Sequence, residues 1–172
     1  MVMDLHAYAR IMTAREPELW RRAGHNLVAS GVRRRGRPRP VPAADGRRRV
    51  LVENPDAATR AVMAQLLEGA GYAVETCAGP EAHEPARCPV LSGEVCPLAA
   101  RADVIVSGLG LTRPTTRDVL RRLRALHRSV PILIDAPAPQ VAAHPTAIEG
   151  CEVLPFPSTR ASLLAAVRAR AS

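Results

Sequence analysis

The most constraining feature of this sequence is a series of short apolar runs that alternates with amphipathic segments from residue 49 onward. The runs are rich in Val, Ile and Leu, which is typical of buried strands. Residues 117–127 instead repeat apolar positions at helical spacing. Alternating strands and helices predict an α/β fold with a five-stranded, doubly wound parallel sheet. We expect strands at 50–53, 72–77, 104–106, 130–134 and 153–156, and helices after Asp56, over 117–127 and over 159–171.

The charge separates an N-terminal extension from this domain. Residues 1–49 contain 12 Arg and four acids, a net charge of +8, whereas residues 50–172 contain 12 Arg and 12 acids. Apolar spacing predicts a short helical segment over 1–30. The density of Arg, Pro and Gly over 31–48 predicts an extended linker without a core. We therefore expect the folded domain to span 49–172.

The N-terminal residues do not resemble a signal peptide, because Asp4, His6 and Arg10 interrupt the apolar stretch. No apolar run approaches the length that spans a bilayer. We expect a cytoplasmic protein that does not insert into a membrane. In that compartment, four cysteines favour free thiols or metal ligands over disulfides.

A Cys- and Pro-rich insertion at 77–98 replaces the short link expected between the second and third strands. Thiols and imidazoles are the ligands that Zn²⁺ and iron–sulfur clusters use. No two cysteines here have the spacing of a zinc knuckle, so structural or redox-active thiols remain an alternative. We expect Cys151 in the core, and the isolated His6, His127 and His144 at the surface. The candidate metal ligands are Cys77, His83, Cys88 and Cys96.

In order and spacing, five pieces of sequence resemble the receiver domain of bacterial response regulators. They are 50–56, 69–74, 102–106, 120–124 and 130–134, and they are followed by Leu154-Pro155-Phe156 before the last helix. The resemblance implies a flavodoxin-like (βα)5 fold. It also implies a site at the carboxyl ends of the strands.

The groups that a receiver uses for phosphoryl transfer are absent at the matching positions. The resemblance places the acidic pair on Glu53 and Asn54, and the phosphate acceptor on Gly108, with Ser107 one residue away. It places the hydroxyl position on Asp135 and the lysine position on Leu154, in a chain that has no lysine at all. We expect the polar groups here to be helix caps and solvated loop ends.

The resemblance and the missing groups together predict a non-enzymatic pseudo-receiver in a regulatory pathway. We expect it to bind a protein partner through the face that contains the fourth predicted strand, the loop after it, and the fifth predicted strand. The alternative is a metal- or redox-sensing regulator that uses Cys77, Cys88 and Cys96.

A third hypothesis concerns the arginine-rich linker. The stretch Arg35-Gly36-Arg37-Pro38 resembles the core of an AT-hook, which enters a narrow minor groove. A solvated tether is an equal alternative. The residues that would contact nucleic acid are Arg33, Arg34, Arg35, Arg37 and Arg39.

Overall fold

The computed structural model of the protein describes residues 46–80 and 88–171. The predicted helical segment 1–30, the linker as far as residue 45, and His83 lie outside these residues. The predictions about them therefore stay predictions. Within the described part of the chain, no helix is long and apolar enough to cross a membrane.

The sheet has five parallel strands in the order β2-β1-β3-β4-β5. They are β1 (Arg49–Glu53), β2 (Ala73–Cys77), β3 (Val104–Ser107), β4 (Ile132–Ile134) and β5 (Glu152–Val153). The chain moves from β1 outward to β2, returns to β3, and continues through β4 to β5. This arrangement confirms the predicted doubly wound α/β fold.

Five α-helices connect and follow the strands in the described residues. They are α1 (Ala57–Glu68), α2 (Pro97–Arg101), α3 (Pro114–Leu126), α4 (Ala138–Ala143) and α5 (Arg160–Arg170), and a 3-10 turn covers Pro145–Ala147. The predicted Asp56 cap is confirmed, since its side chain accepts a hydrogen bond from the Thr59 N–H at 2.7 Å. Thr159 and Ser162 form a capping box that begins α5.

Three element boundaries differ from the predicted ones by two or more residues, for identifiable reasons. The third helix begins at Pro114, because proline suits the first turn, where no N–H partner is needed. Residue Val130 belongs to a turn and donates its N–H to the His127 carbonyl, so β4 begins later. Strand β5 ends at Val153, and Pro155 just beyond it has no N–H with which to continue the ladder.

The core consists of two apolar layers, one on each face of the sheet. One layer packs Leu51, Ile105 and Ile134 against α2 and α3. The other packs Val52, Val106 and Leu133 against α1 and α5. Alternate residues of each strand therefore enter opposite layers, as the pleat of a strand requires. This alternation also decides where the polar residues at the strand ends point.

Candidate functional site

Three polar side chains lie buried at the carboxyl ends of neighbouring strands. Glu53 ends β1, Ser107 ends β3, and the two residues are in register. Asp135 follows β4, and its N–H donates to the Ser107 carbonyl at 2.9 Å. Each has a side-chain oxygen without a hydrogen-bond partner among the described residues: Glu53 Oε2, Ser107 Oγ and Asp135 Oδ1.

Burial changes the acidity of both carboxyl groups. It raises the pKa of Glu53 from its usual 4.5 to about 7, and the nearby Ser107 hydroxyl opposes part of this rise. It also raises the pKa of Asp135, against the opposing effect of Ser158. A buried carboxyl group without a partner favours its neutral form, because the charged form loses its hydration. At neutral pH, Glu53 is therefore only partly ionised.

Gly108, which the resemblance places at the phosphate acceptor, packs against Asn54. The Gly108 N–H donates to the Glu53 carbonyl at 2.7 Å, which draws the two strand ends together. A Cβ atom at position 108 would overlap the Asn54 amide nitrogen. Asn54 is itself fixed, since its Oδ1 accepts from the Asp56 N–H at 2.9 Å. We call this arrangement the Asn54–Gly108 contact. It leaves no room for an acceptor side chain.

Leu154, which the resemblance places at the lysine position, lies in an apolar and closed environment. Leu154 is 3% exposed and lies in the core layer with Leu133 and Leu163. Its N–H donates to the Ile134 carbonyl at 2.8 Å. No cationic group reaches a phosphoryl oxygen from this residue.

Two expectations about polar residues are wrong. Glu53, Asn54, Ser107 and Asp135 are buried and are not solvated loop ends, because the tight packing of parallel strand ends removes them from water. His127 is also buried and not at the surface, since it follows the last turn of α3 against the sheet. Burial lowers the pKa of this imidazole.

The three cysteines of the insertion line one cavity with Glu53. This cavity, of about 420 Å³, lies at the carboxyl ends of β1 and β2, and we call it the cysteine cavity. The β1–β2 register places Glu53 beside Cys77. Cys151 is half-buried against the same core layer but does not line the cavity, in agreement with its predicted place in the core. The lining residues are Glu53, Arg60, Thr76, Cys77, Ala78, Gly79, Pro80, Cys88, Pro89, Val90, Cys96, Pro97, Leu98 and Val119.

Two thiols of this cavity, those of Cys77 and Cys96, are held in their neutral form. Burial raises the pKa of Cys77 and of Cys96, and the negative charge of Glu53 adds to both shifts. A thiolate is the reactive and metal-binding form of cysteine. In the described residues, no group of three or more His, Cys, Asp or Glu side chains is arranged to hold a metal ion. His83 lies outside those residues, so the predicted metal site stays a prediction.

Sequence reasoning missed the part that Arg60 has in this region. Its guanidinium donates to the Asn54 carbonyl and, at 3.4 Å, to the Pro55 carbonyl. It also lines the cysteine cavity. An arginine one turn into the helix that follows the site residues was the available signal.

Comparison with known proteins identifies the fold. No protein-family model matches the sequence, and no curated protein matches it. A response regulator receiver domain protein of Clostridium thermocellum aligns with a TM-score of 0.57 and 20% identity, covering 72% of this chain and 94% of that one. The chemotaxis response regulator CheY4 of Vibrio cholerae aligns with a TM-score of 0.52 and 25% identity, covering 72% and 98%.

The described domain has the receiver fold. A pilus assembly-related protein of Burkholderia pseudomallei is also similar, with a TM-score of 0.54, 22% identity, and 72% and 89% coverage. The predicted resemblance to receivers is confirmed at the level of fold. Within this receiver-like domain, Asn54, Gly108 and Leu154 lie just beyond the carboxyl ends of β1, β3 and β5.

Proposed function

We propose that this protein is a non-catalytic pseudo-receiver that acts in a regulatory pathway by binding a protein partner. The observation that supports this most strongly is the Asn54–Gly108 contact. Phosphoryl transfer to a receiver needs a carboxylate nucleophile, a divalent cation, and positive groups that stabilise the phosphoryl oxygens. Glycine offers no nucleophile, and the amide of Asn54 fills the volume that one would need.

The other positions support the same conclusion. Leu154 provides no positive charge, and the side chain of Glu53 lines the cysteine cavity. Asp135 has a carboxyl group in the region, but burial raises its pKa and weakens it as a metal ligand. An ordinary receiver cycle is therefore not expected of this chain.

Incubation with acetyl phosphate and Mg²⁺ tests the absence of phosphoryl transfer. We expect the intact mass of the protein to stay unchanged, because no acceptor is available at residue 108. The Asp135→Asn protein is the matched control and should give the same spectrum. A stoichiometric, Mg²⁺-dependent gain of one phosphoryl group that Asp135→Asn abolishes would contradict the proposal.

The surface around α4 and β5 supports a role in protein binding. β5 is an edge strand of two residues. Val153 in this strand is 41% exposed, and Phe156 just beyond it is 51% exposed. No residue of α4 is buried. Exposed apolar side chains next to an open strand edge are typical of a surface that another protein covers.

Matched substitutions test this surface. The Val153→Ser/Phe156→Ser protein should lose affinity for a partner, or for a second copy of the chain, with little change in stability. The control is Val62→Ser, because Val62 on α1 is 55% exposed. Light scattering and affinity capture would compare wild type with both variants. Equal behaviour of the two variants would exclude the α4–β5 surface.

A second candidate function is metal or redox sensing, because three thiols converge on one cavity with Glu53. Metal analysis after anaerobic purification, combined with a thiol titration, tests it. If a metal is bound, Cys88→Ser and Cys96→Ser should each release it and lower the melting temperature together, whereas Cys151→Ser should not. If the thiols are only buried, each change should act alone and modestly.

A further inference from the structure

We propose that the cysteine cavity binds a small, largely apolar molecule with one hydrogen-bond donor, and that the Glu53 carboxyl group accepts this hydrogen bond. This binding function goes beyond the role in protein binding and does not depend on it.

The size and walls of the cavity suit such a molecule. Its volume of about 420 Å³ is within the range of about 300 to 1,000 Å³ that is typical of small-molecule sites. Apolar side chains form most of the wall, including Val90, Leu98 and Val119. Neutral thiols behave much like apolar groups of the same size. The walls therefore favour an apolar body.

One polar atom on the wall, Glu53 Oε2, has no hydrogen-bond partner among the described residues. Glu53 is 5% exposed, and its Oε2 atom forms no hydrogen bond with any described residue. An oxygen buried in this way lowers stability unless a ligand or water satisfies it. A ligand that donates a hydrogen bond to Glu53 would bind more tightly, because it satisfies this acceptor.

The remaining polar groups do not favour a different ligand class. Arg60 already donates to the carbonyls of Asn54 and Pro55. Its positive charge on the wall disfavours a cationic ligand. The Cys77 sulfur accepts from the Gly79 N–H at 3.4 Å. The partly ionised Glu53 carboxyl group on the same wall disfavours an anion. A neutral donor such as a hydroxyl or a ring N–H therefore fits this arrangement better than an ammonium group or an anion.

Two pairs of probes test the proposal on the full chain. Indole and phenol each have an apolar ring and one donor, whereas 1-methylindole and anisole lack the donor. Heteronuclear NMR titration would measure affinity and locate the site through the signals of Val90, Leu98 and Val119. We expect at least one donor probe to bind there about ten-fold or more tightly than its methylated partner, as expected for satisfying a buried acceptor.

The Glu53→Met protein separates the hydrogen bond from the shape of the cavity. Methionine has a similar length and no acceptor oxygen of this kind, so the two members of each pair should then bind equally. If this variant does not fold, a second measurement remains in wild type. The bound donor probe should slow N-ethylmaleimide alkylation of Cys77 and Cys96, and leave Cys151 unaffected.

Three results would overturn the proposal. They are no binding of either donor probe, equal binding of both members of each pair by wild type, and NMR shifts that lie away from the cysteine cavity. None of these results would affect the proposed protein-binding role, since that role is tested on the α4–β5 surface.

Discussion

The Asn54–Gly108 contact and the cysteine cavity involve adjacent residues of the chain, yet the contact is tightly packed and the cavity is open. The amide of Asn54 packs against Gly108 and leaves no space. The carboxyl group of Glu53 lines a cavity of about 420 Å³. Neighbouring side chains in an extended segment point in opposite directions. The missing receiver groups therefore do not remove every site from this end of the sheet.

The largest expected contrast is between a leucine of the packed core, Leu154, and a leucine on the wall of the cysteine cavity, Leu98. Leu154→Ala should lower the free energy of unfolding by about 2–5 kcal/mol, because it leaves a cavity in a packed core layer. Leu98 is half-buried and lines the cysteine cavity, so Leu98→Ala should cost less than half as much. Urea unfolding of both variants measures the difference. Equal losses would show that the two regions are packed alike.

The pH dependence of stability tests the burial of Glu53. Folding raises its pKa from 4.5 to about 7, so the folded protein binds more protons between these values. The free energy of unfolding should therefore fall as pH rises through this window, by up to about 3 kcal/mol. Glu53→Gln cannot titrate and should lack this loss. Parallel curves for the two proteins from pH 4 to pH 8 would show that Glu53 is solvated.

Substitution of glycines measures how tightly residue 108 packs against Asn54. Gly108→Ala should cost about 1–3 kcal/mol, because its Cβ would displace the Asn54 amide. Gly110 is the control, since a Cβ there meets no described atom within 4 Å. In an Asn54→Ala background the cost of Gly108→Ala should shrink. A cost that does not change would mean that Asn54 is not the obstacle.

The smallest expected effect concerns Asp56, and its direction opposes that of Glu53. The hydrogen bonds from Thr59 lower the pKa of this exposed cap. Its contribution to stability is therefore present above pH 3.8 and is lost as pH falls through its folded pKa. Asp56→Asn keeps a capping oxygen and should remove this acid-side loss, with Glu53 titrating as before. If Asp56→Asn changed the loss of stability between the unfolded and folded pKa values of Glu53, the two acids would be coupled.

Most of the fold is predictable because its signals are local. Short Val- and Ile-rich runs define β1 and β3, and Asp56 sits where a helix cap is needed. The sequence analysis does not predict helix α4, because the helix is short, has Pro137 as its N-cap and Pro139 in its first turn, and has no buried residue. Without an apolar stripe, such a helix has no periodic signal.

The site was less predictable because burial depends on distant parts of the chain. The identities at residues 53, 108 and 154 predict a loss of phosphoryl-transfer groups, and this stays a prediction. The burial of Glu53 and Asp135 follows from strand pairing, which no local pattern shows. The convergence of Cys77 and Cys96 on Glu53 likewise requires the insertion to return over the sheet.

The packing of Asn54 against Gly108 also couples the effects of changes at the two positions. An aspartate introduced at residue 108 alone would clash with the Asn54 amide, and a change at residue 54 alone would leave a glycine that offers no nucleophile. The effect of a substitution at one position therefore depends on the residue at the other, so the two form an epistatic pair. Engineering an acceptor side chain into this domain would require at least both changes together.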